Sequence, residues 1–397
     1  MVRTVEFDHA EATAADFLAF GEELRDATAP VYNSAHGGFW VASRYSDITT
    51  IVQDPARFLS GKGITIPPLG QPVPVVPAES DAPGHKHYRG VLAPFLTPRA
   101  VRENEPVVRQ VVTEMIDGFI EAGEVDIVPN FAIPIPVYAM ATIFGLSRPE
   151  AKQFFDAFTN VLEAAASGVP AKAQKAGGEF AGYIVNALND MRGKPADMTN
   201  IYSAIVHTEM DGRPFSDEEC IGLLWSTTAA ATETTTHAIG HAVRQVGTRP
   251  EVRRALIKDP SRIPAAVEEI LRLDAPNYTI ARYVAVDATV GGVTMKAGER
   301  VLLLYGVANK DEAVFPKPQD FDLGRGMSSH LSFGMGLHNC VGKHLARQEV
   351  RVALEELLTR IPDFELIGDP GLPRLRGGLM WGHDALTVRF SPGPRAT

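Results

Sequence analysis

The sequence predicts a single, mainly α-helical domain with small β-sheets, built on one long central helix and a second helix that follows a cysteine-bearing loop. Three observations carry that prediction. A capping box, Ser216-Asp217-Glu218-Glu219, opens an apolar-periodic stretch of roughly thirty residues that closes at Gly247 and Pro250, long for a globular helix. A Gly-rich segment, Phe333-Gly334-Met335-Gly336-Leu337-His338-Asn339-Cys340-Val341-Gly342, leads into Leu345, Ala346, Val350, Ala353, Leu354, Leu357 and Leu358, one buried helical stripe. The strand-like runs, Ala281 to Ala285 and Val301 to Tyr305, are short and few, which suits small sheets.

Composition sets the limits. The chain has 397 residues, 45% hydrophobic and 22% charged, enough for one sizeable core, and residues 1–397 are expected to form one domain. A net charge of −10 argues against non-specific nucleic-acid binding. Cys220 and Cys340, the two cysteines, build no disulfide framework and suit a reducing cytoplasm. Met1 to Phe17 has neither a basic nor an apolar leader region, and no apolar run reaches 18 residues. Ile133 to Leu146 comes nearest but contains Pro134 and Pro136. A cytoplasmic monomer without a membrane anchor is expected.

Taken in order, Gly37 to Ala42 and Asp47 to Val52 read as a strand and a helix closed by Pro55. Gly61 to Pro77, dense in proline and glycine, is neither helix nor central strand, and its apolar side chains suit a covering loop. His85 and Arg89 share a helical face. Helical periodicity then occupies Val101 to Ala122, Tyr138 to Gly145, Glu150 to Glu163 and Gly177 to Met191. The last two are joined through the small residues Ala164 to Pro170, suited to a hinge. Midway along the central helix, the threonines of Ala230-Ala231-Thr232-Glu233-Thr234-Thr235 compete for backbone carbonyls and can bend or open a turn. In the helix Pro264 to Leu273, Glu269 and Arg272 stand three apart and can pair. Leu375 to Phe390 reads as a hairpin with Gly377-Gly378-Leu379-Met380-Trp381-Gly382 at its tip.

Cys340 admits four readings. A buried structural cysteine leaves the surrounding glycines unexplained. Nucleophilic catalysis with His338 needs partners brought together by the fold, not two residues of one turn. Zinc needs three or four ligands, and only Cys220 remains to help. A haem-thiolate ligand accounts for every fixed position. The helix behind Cys340 should push its thiol toward thiolate, and Gly334 and Gly336 permit close backbone approach.

Phe-Gly-x-Gly-x-His-x-Cys-x-Gly resembles the haem-binding loop of the cytochrome P450 superfamily, and the resemblance spans Phe39 to Phe390. It implies the cytochrome P450 fold, with haem b between the central helix and the one after the loop, and Cys340 as axial ligand. Phe333, Gly334 and Gly342 would cradle the ring, and His85, Arg89, Arg282 and His330 would hold its propionates. Glu233 and Thr234 would deliver protons in oxygen activation, with Ala231 where the family often has glycine. Glu269, Arg272 and Arg325 would brace the loop as structural elements. The substrate pocket would draw on Ile64, Ile66, Val73, Val75, Trp225, Ala229, Ala230, Ile280 and Met380, all apolar. The implied reaction inserts one atom of dioxygen into a small or medium-sized hydrophobic molecule by hydroxylation, epoxidation or demethylation. No Rossmann fingerprint, P-loop or flavin site is visible. Electrons from NAD(P)H are therefore expected through a separate ferredoxin reductase and ferredoxin, docked on Arg89, Arg99, Lys343, Arg347 and Arg351. A peroxide-driven peroxygenase and a non-catalytic haem sensor are the alternatives.

Overall fold

The computed structural model describes residues 2–68, 75–166, 169–325 and 329–396. The central helix, Asp217–Gly247, is 31 residues long, and both halves of its capping box close. The Ser216 hydroxyl accepts from the Glu219 N–H, and the Glu219 carboxylate accepts from the Ser216 N–H. The helix is unbroken through Ala230–Thr235. Thr228, Thr232 and Thr234 each donate to the carbonyl four residues back, at 2.7, 2.8 and 2.7 Å. These hydroxyls supplement the backbone ladder, and the anticipated opening does not occur.

Two apolar cores flank this helix. One joins its C-terminal half, through Ile239, Val243 and Val246, to the helices Pro98–Asp117, Ile263–Leu273 and Lys343–Arg360. The other joins Leu223 and Leu224 to Phe154, Phe158, Phe180 and Ile184 of the helix pair Arg148–Ala166 and Pro170–Arg192. Part of the presumed hinge between that pair, residues 167–168, lies outside the described residues. Proline at the first turn starts Pro134–Ile143 and Pro170–Arg192 earlier than apolar periodicity indicates.

The largest sheet has six strands in the order Thr4–Val5, Val31–Asn33, Phe39–Ala42, Arg300–Leu304, Thr279–Val284, Phe58–Leu59. Leu302 pairs with Val41 in parallel and with Ala281 antiparallel, which places Arg282 opposite Val301. The C-terminal hairpin pairs Arg374–Arg376 with Met380–Gly382. Among the described residues no helix is long and apolar enough to cross a membrane.

Candidate functional site

The cysteine loop is shaped by two glycines in the left-handed region, Gly334 at φ 62° and Gly336 at φ 70°. A Cβ on Gly336 would stand 2.4 Å from the Val52 carbonyl oxygen, so the loop packs on the helix Tyr45–Val52 only because that Cβ is missing. The Cys340 N–H donates to the Phe333 carbonyl at 2.8 Å, and the Asn339 amide donates to the Phe333 and Gly334 carbonyls. Gly342, at φ −85°, has no protein atom within 4 Å of where a Cβ would lie.

The thiol corrects one expectation. The following helix begins at Lys343 with Gly342 as its cap, so Cys340 precedes the first turn. Burial pushes the thiol up, against the pull of the Gly342 N–H and of Arg89, Arg347 and Lys343. Among the described residues no three His, Cys, Asp or Glu side chains converge on a metal site, which leaves the zinc reading without support.

A cluster of nitrogen donors forms beside the loop. The His85 ring lies 4.6 Å from that of His338, centroid to centroid, nearly edge-on. Burial, then Arg282, His85 and Arg89, push His338 down to about 3. His85 and Arg282 are buried, and Arg282 spends one N–H on the Ala281 carbonyl. His85 Nδ1 is buried without a hydrogen-bond partner. Two guanidiniums and two imidazoles together are matched chemically by carboxylates, as on a porphyrin.

His330 does not join them. Its Nδ1 accepts from the Ser332 N–H, and its Nε2 lies 3.3 Å from Glu268 Oε2. The fourth member is His338, which the loop pattern itself contains and which sequence reasoning considered only as a partner for Cys340. The signal was its place two residues before the thiol, on the same loop face.

Adjacent carboxylates brace the loop from behind. Glu269 takes both prongs of Arg272, at 2.8 and 2.7 Å, and Arg325 Nε at 3.2 Å. Arg272 also donates to the carbonyls of Asn309, Pro318 and Asp320, tying the helix to the segment before the loop. Glu268, missed from sequence, takes both prongs of Arg347, whose guanidinium carbon lies 4.3 Å from the Phe333 ring centroid. Glu268 is held down at about 2, because Arg347 and His330 outweigh the opposing effect of burial.

Midway along the central helix, Ala229, Ala230, Ala231, Glu233 and Thr234 form a stripe that keeps partial exposure. The Glu233 carboxylate lies 4.0 Å from His237 Nε2. The pocket expectations divide. Trp225 packs on Phe158 and Phe180, ring centroids 5.9 and 5.4 Å away, fastening the helix pair to the central helix. Ile66 is a buried core residue in one cluster with Phe17, Phe39, Tyr278 and Trp381. The Ile64 carbonyl accepts from the Ala281 N–H at the sheet edge, Val75 bonds Glu79, and Ile280 packs against the sheet core. Met380 is buried and bridges to Asn277. Val73 lies outside the described residues.

The expected docking patch is likewise reduced. Arg347 is committed to Glu268, and Arg351 to Glu105 and Glu355. These internal pairs neutralise both charges. Arg99 is exposed and pairs with Glu103 at 2.8 Å, and Lys343 bonds Asn339.

A loop cysteine beside clustered cations, on a helix-rich fold, defines a haem-thiolate protein, and the donor set fits that group. The cytochrome P450 family model matches residues 136–366. A putative cytochrome P450 123 of Mycobacterium bovis is 34% identical over 362 residues, covering 89% of each chain. A steroid C26-monooxygenase of Mycobacterium tuberculosis is 31% identical, covering 93% of this chain and 99% of the relative. The crystal structure of Mycobacterium marinum CYP268A2 with pseudoionone superposes with a TM-score of 0.88 at 26% identity, covering 96% of both chains. The chain belongs to the cytochrome P450 family. It is a monooxygenase whose cofactor is haem b.

Proposed function

We propose that Cys340 is the axial ligand of haem b, that His85, Arg89, Arg282 and His338 hold its propionates, and that Glu233 and Thr234 carry protons to the reacting oxygen. The observation that carries this reading is the group of Arg89, Arg282, His85 and His338 beside the thiol, two guanidiniums and two imidazoles gathered on the loop. When bound, haem supplies dioxygen activation, with a thiolate ligand donating electron density that favours O–O cleavage. Thr234 holds its hydroxyl on the Ala230 carbonyl, at the accessible stripe. Glu233, one residue earlier, is the acid that replaces the proton Thr234 passes on.

The substrate is a hydrophobic small or medium-sized molecule, of terpenoid, aromatic or polyketide type, oxidised by hydroxylation, epoxidation or demethylation. The apolar residues around the stripe support this, as do the names of a steroid monooxygenase and a pseudoionone complex among similar proteins. Electrons come from NAD(P)H through a ferredoxin reductase and an acidic ferredoxin. Arg99 and Lys343 are the docking cations: the Arg99 side chain stays exposed although it pairs with Glu103, whereas those of Arg347 and Arg351 are largely covered.

Cys340→Ser tests the ligand assignment: loss of the thiolate-type spectrum of the reduced carbon monoxide complex is expected, and an unchanged spectrum removes it. Thr234→Ala should divert turnover to peroxide, whereas full coupling would take Thr234 out of the proton path. Substrate class is found by screening a compound library for shifts of the haem absorption band. Electron transfer should slow with salt and with Arg99→Glu plus Lys343→Glu.

A further inference from the structure

The residue before the thiol closes the loop with its side chain. The Asn339 amide nitrogen donates to the carbonyls of Phe333 and Gly334, at 3.3 and 3.1 Å, and the Asn339 backbone N–H donates to the Gly336 carbonyl. The Cys340 N–H meets the same Phe333 carbonyl at 2.8 Å. Lys343 Nζ donates to Asn339 Oδ1 at 2.8 Å. An ammonium only donates, so this bond fixes which way the amide points: oxygen to Lys343, nitrogen to the loop carbonyls.

Lys343 differs from its neighbours on the same helix. Lys343–Arg360 carries four lysine and arginine side chains, and three of them meet carboxylates: Arg347 on Glu268, Arg351 on Glu105 and Glu355, Arg360 on Asp117. Lys343 is bonded instead to a neutral amide, so its partner does not cancel its charge. It is also the first residue of the helix, where a cation opposes the macrodipole, and the first turn holds no acidic residue. Helix terminus and ammonium thus bring two positive ends to one loop, an arrangement stabilised by an anion on that loop. Cys340, three residues before Lys343, supplies that anion as the thiolate of the loaded protein.

We propose that Asn339 is a positioning residue that holds the Lys343 ammonium against the cysteine loop, and that this fixed charge makes the bound haem easier to reduce. One-electron reduction adds a negative charge to the site, so a cation held beside it favours the reduced form. A cation free to swing into water is screened and favours it less. Neither side chain touches the reacting atoms, and neither makes or breaks a covalent bond.

The inference rests on the reading of Cys340 as the axial ligand. The haem-loaded protein is titrated with dithionite through mediator dyes, with no ferredoxin present, so that docking on Lys343 does not enter. Parent, Lys343→Met, Lys343→Arg, Asn339→Leu and the double variant are compared. Lys343→Met should lower the equilibrium constant for reduction several-fold, a tenfold fall being about 59 mV for one electron, and Lys343→Arg should restore most of it. Asn339→Leu, which keeps the lysine, should lower it by a similar factor, and the double variant should fall no further than Lys343→Met. An amide that only braced the loop would add its effect to that of Lys343. In the haem-free chain, hydrogen exchange across residues 333–342 should quicken in Asn339→Leu.

Additive effects on the potential, or unchanged exchange in Asn339→Leu, overturn the proposal. Lys343→Met keeps the bonds of the amide to the loop carbonyls, so it decides even where Asn339→Leu takes up no haem: a potential equal to that of Lys343→Arg is fatal. A parent lacking the thiolate-type spectrum of its reduced carbon monoxide complex would end the ligand reading itself. A parent that shows this spectrum, with a potential indifferent to Lys343→Met, ends the proposal and leaves Cys340 as ligand.

Discussion

Glu268 receives both prongs of the Arg347 guanidinium, Nε to Oε1 at 2.5 Å and Nη2 to Oε2 at 2.9 Å, while His330 Nε2 lies 3.3 Å from the same carboxylate. One side chain of the helix Ile263–Leu273 thereby ties down the helix after the cysteine loop and the segment before it. Arg347 in turn covers the Phe333 ring at the loop's start. The paired Glu268–Glu269 positions so divide their work: one carboxylate holds the loop's flanks, the other holds Arg272 and Arg325 beneath them.

Arg347→Leu should destabilise the protein by about 1–3 kcal/mol, less than the several kcal/mol of a fully buried pair because the Arg347 side chain keeps 25% of its exposure. Glu268 titrates at about 2 in the fold against 4.5 ordinarily, because Arg347 and His330 overcome the opposing effect of burial. A depressed acid stabilises fully above pH 4.5 and loses that contribution as pH falls toward 2. Urea unfolding between pH 2.5 and 7 should show this acid-side slope in the parent and a flatter one in Glu268→Gln.

Gly336→Ala should be more damaging than Gly334→Ala. Both have positive φ, which costs a side chain at least about 1–2 kcal/mol, and Gly334, at ψ −171°, lies in a region confined essentially to glycine. At Gly334 the nearest backbone atom would be 3.6 Å from the new Cβ, but at Gly336 the Val52 carbonyl would be 2.4 Å away. Backbone cannot swing aside as a side-chain tip can, so the loop must lift from the helix Tyr45–Val52. Haem content per protein, read from the absorption spectrum, should fall for both and further for Gly336→Ala, which adds the clash with Val52 to the backbone strain.

The long helices and the loop were legible because their signals are local: a capping box at Ser216, three-four periodicity after Leu345, and glycines where the backbone must turn. Glu269 and Arg272 pair three residues apart on one helix, and Arg325, far along the chain, reaches the same carboxylate. What was not legible depends on packing between distant segments. Arg347 and Arg351 look like surface cations in sequence, and only the fold brings Glu268 and Glu105 to them. His330 and His338 are alike in sequence, and the direction each ring takes is decided by Glu268 on one side and by His85 with Arg282 on the other. Ile66 reads as loop apolarity until the core around Phe17 and Trp381 encloses it. The short strands Thr4–Val5 and Phe58–Leu59 are too brief to show a period at all.

Glu349 should make the protein less stable as the solution turns alkaline. Burial raises its carboxyl from 4.5 to about 8, only partly offset by a hydrogen bond to Thr235 on the central helix, and Oε1 has no partner. A raised acid stays protonated in the fold while the unfolded chain ionises, so stability declines as pH rises from about 4.5 to 8, by a few kcal/mol in all. Glu349→Gln, which keeps the shape and removes the titration, should abolish the decline and be the more stable protein at pH 8. Thermal unfolding at pH 5 and pH 8 compares them, and parallel behaviour of the two would show that Glu349 is ionised in the fold.

His338→Phe and His330→Phe should fail in different ways. His338 stands against His85 among Arg89 and Arg282, the side chains fitted to carboxylates of the cofactor. Replacing it removes one donor and leaves the core intact, so haem dissociation to apomyoglobin should quicken several-fold while the unfolding midpoint of the haem-free chain hardly moves. His330 is buried against Glu268 and caps the turn at Ser332. Its loss leaves a buried carboxylate with Arg347 alone, which should lower the unfolding free energy of the haem-free chain by about 1–3 kcal/mol and its midpoint with it. Equal dissociation rates in the two variants would dissolve the distinction and return His330 to the propionate set.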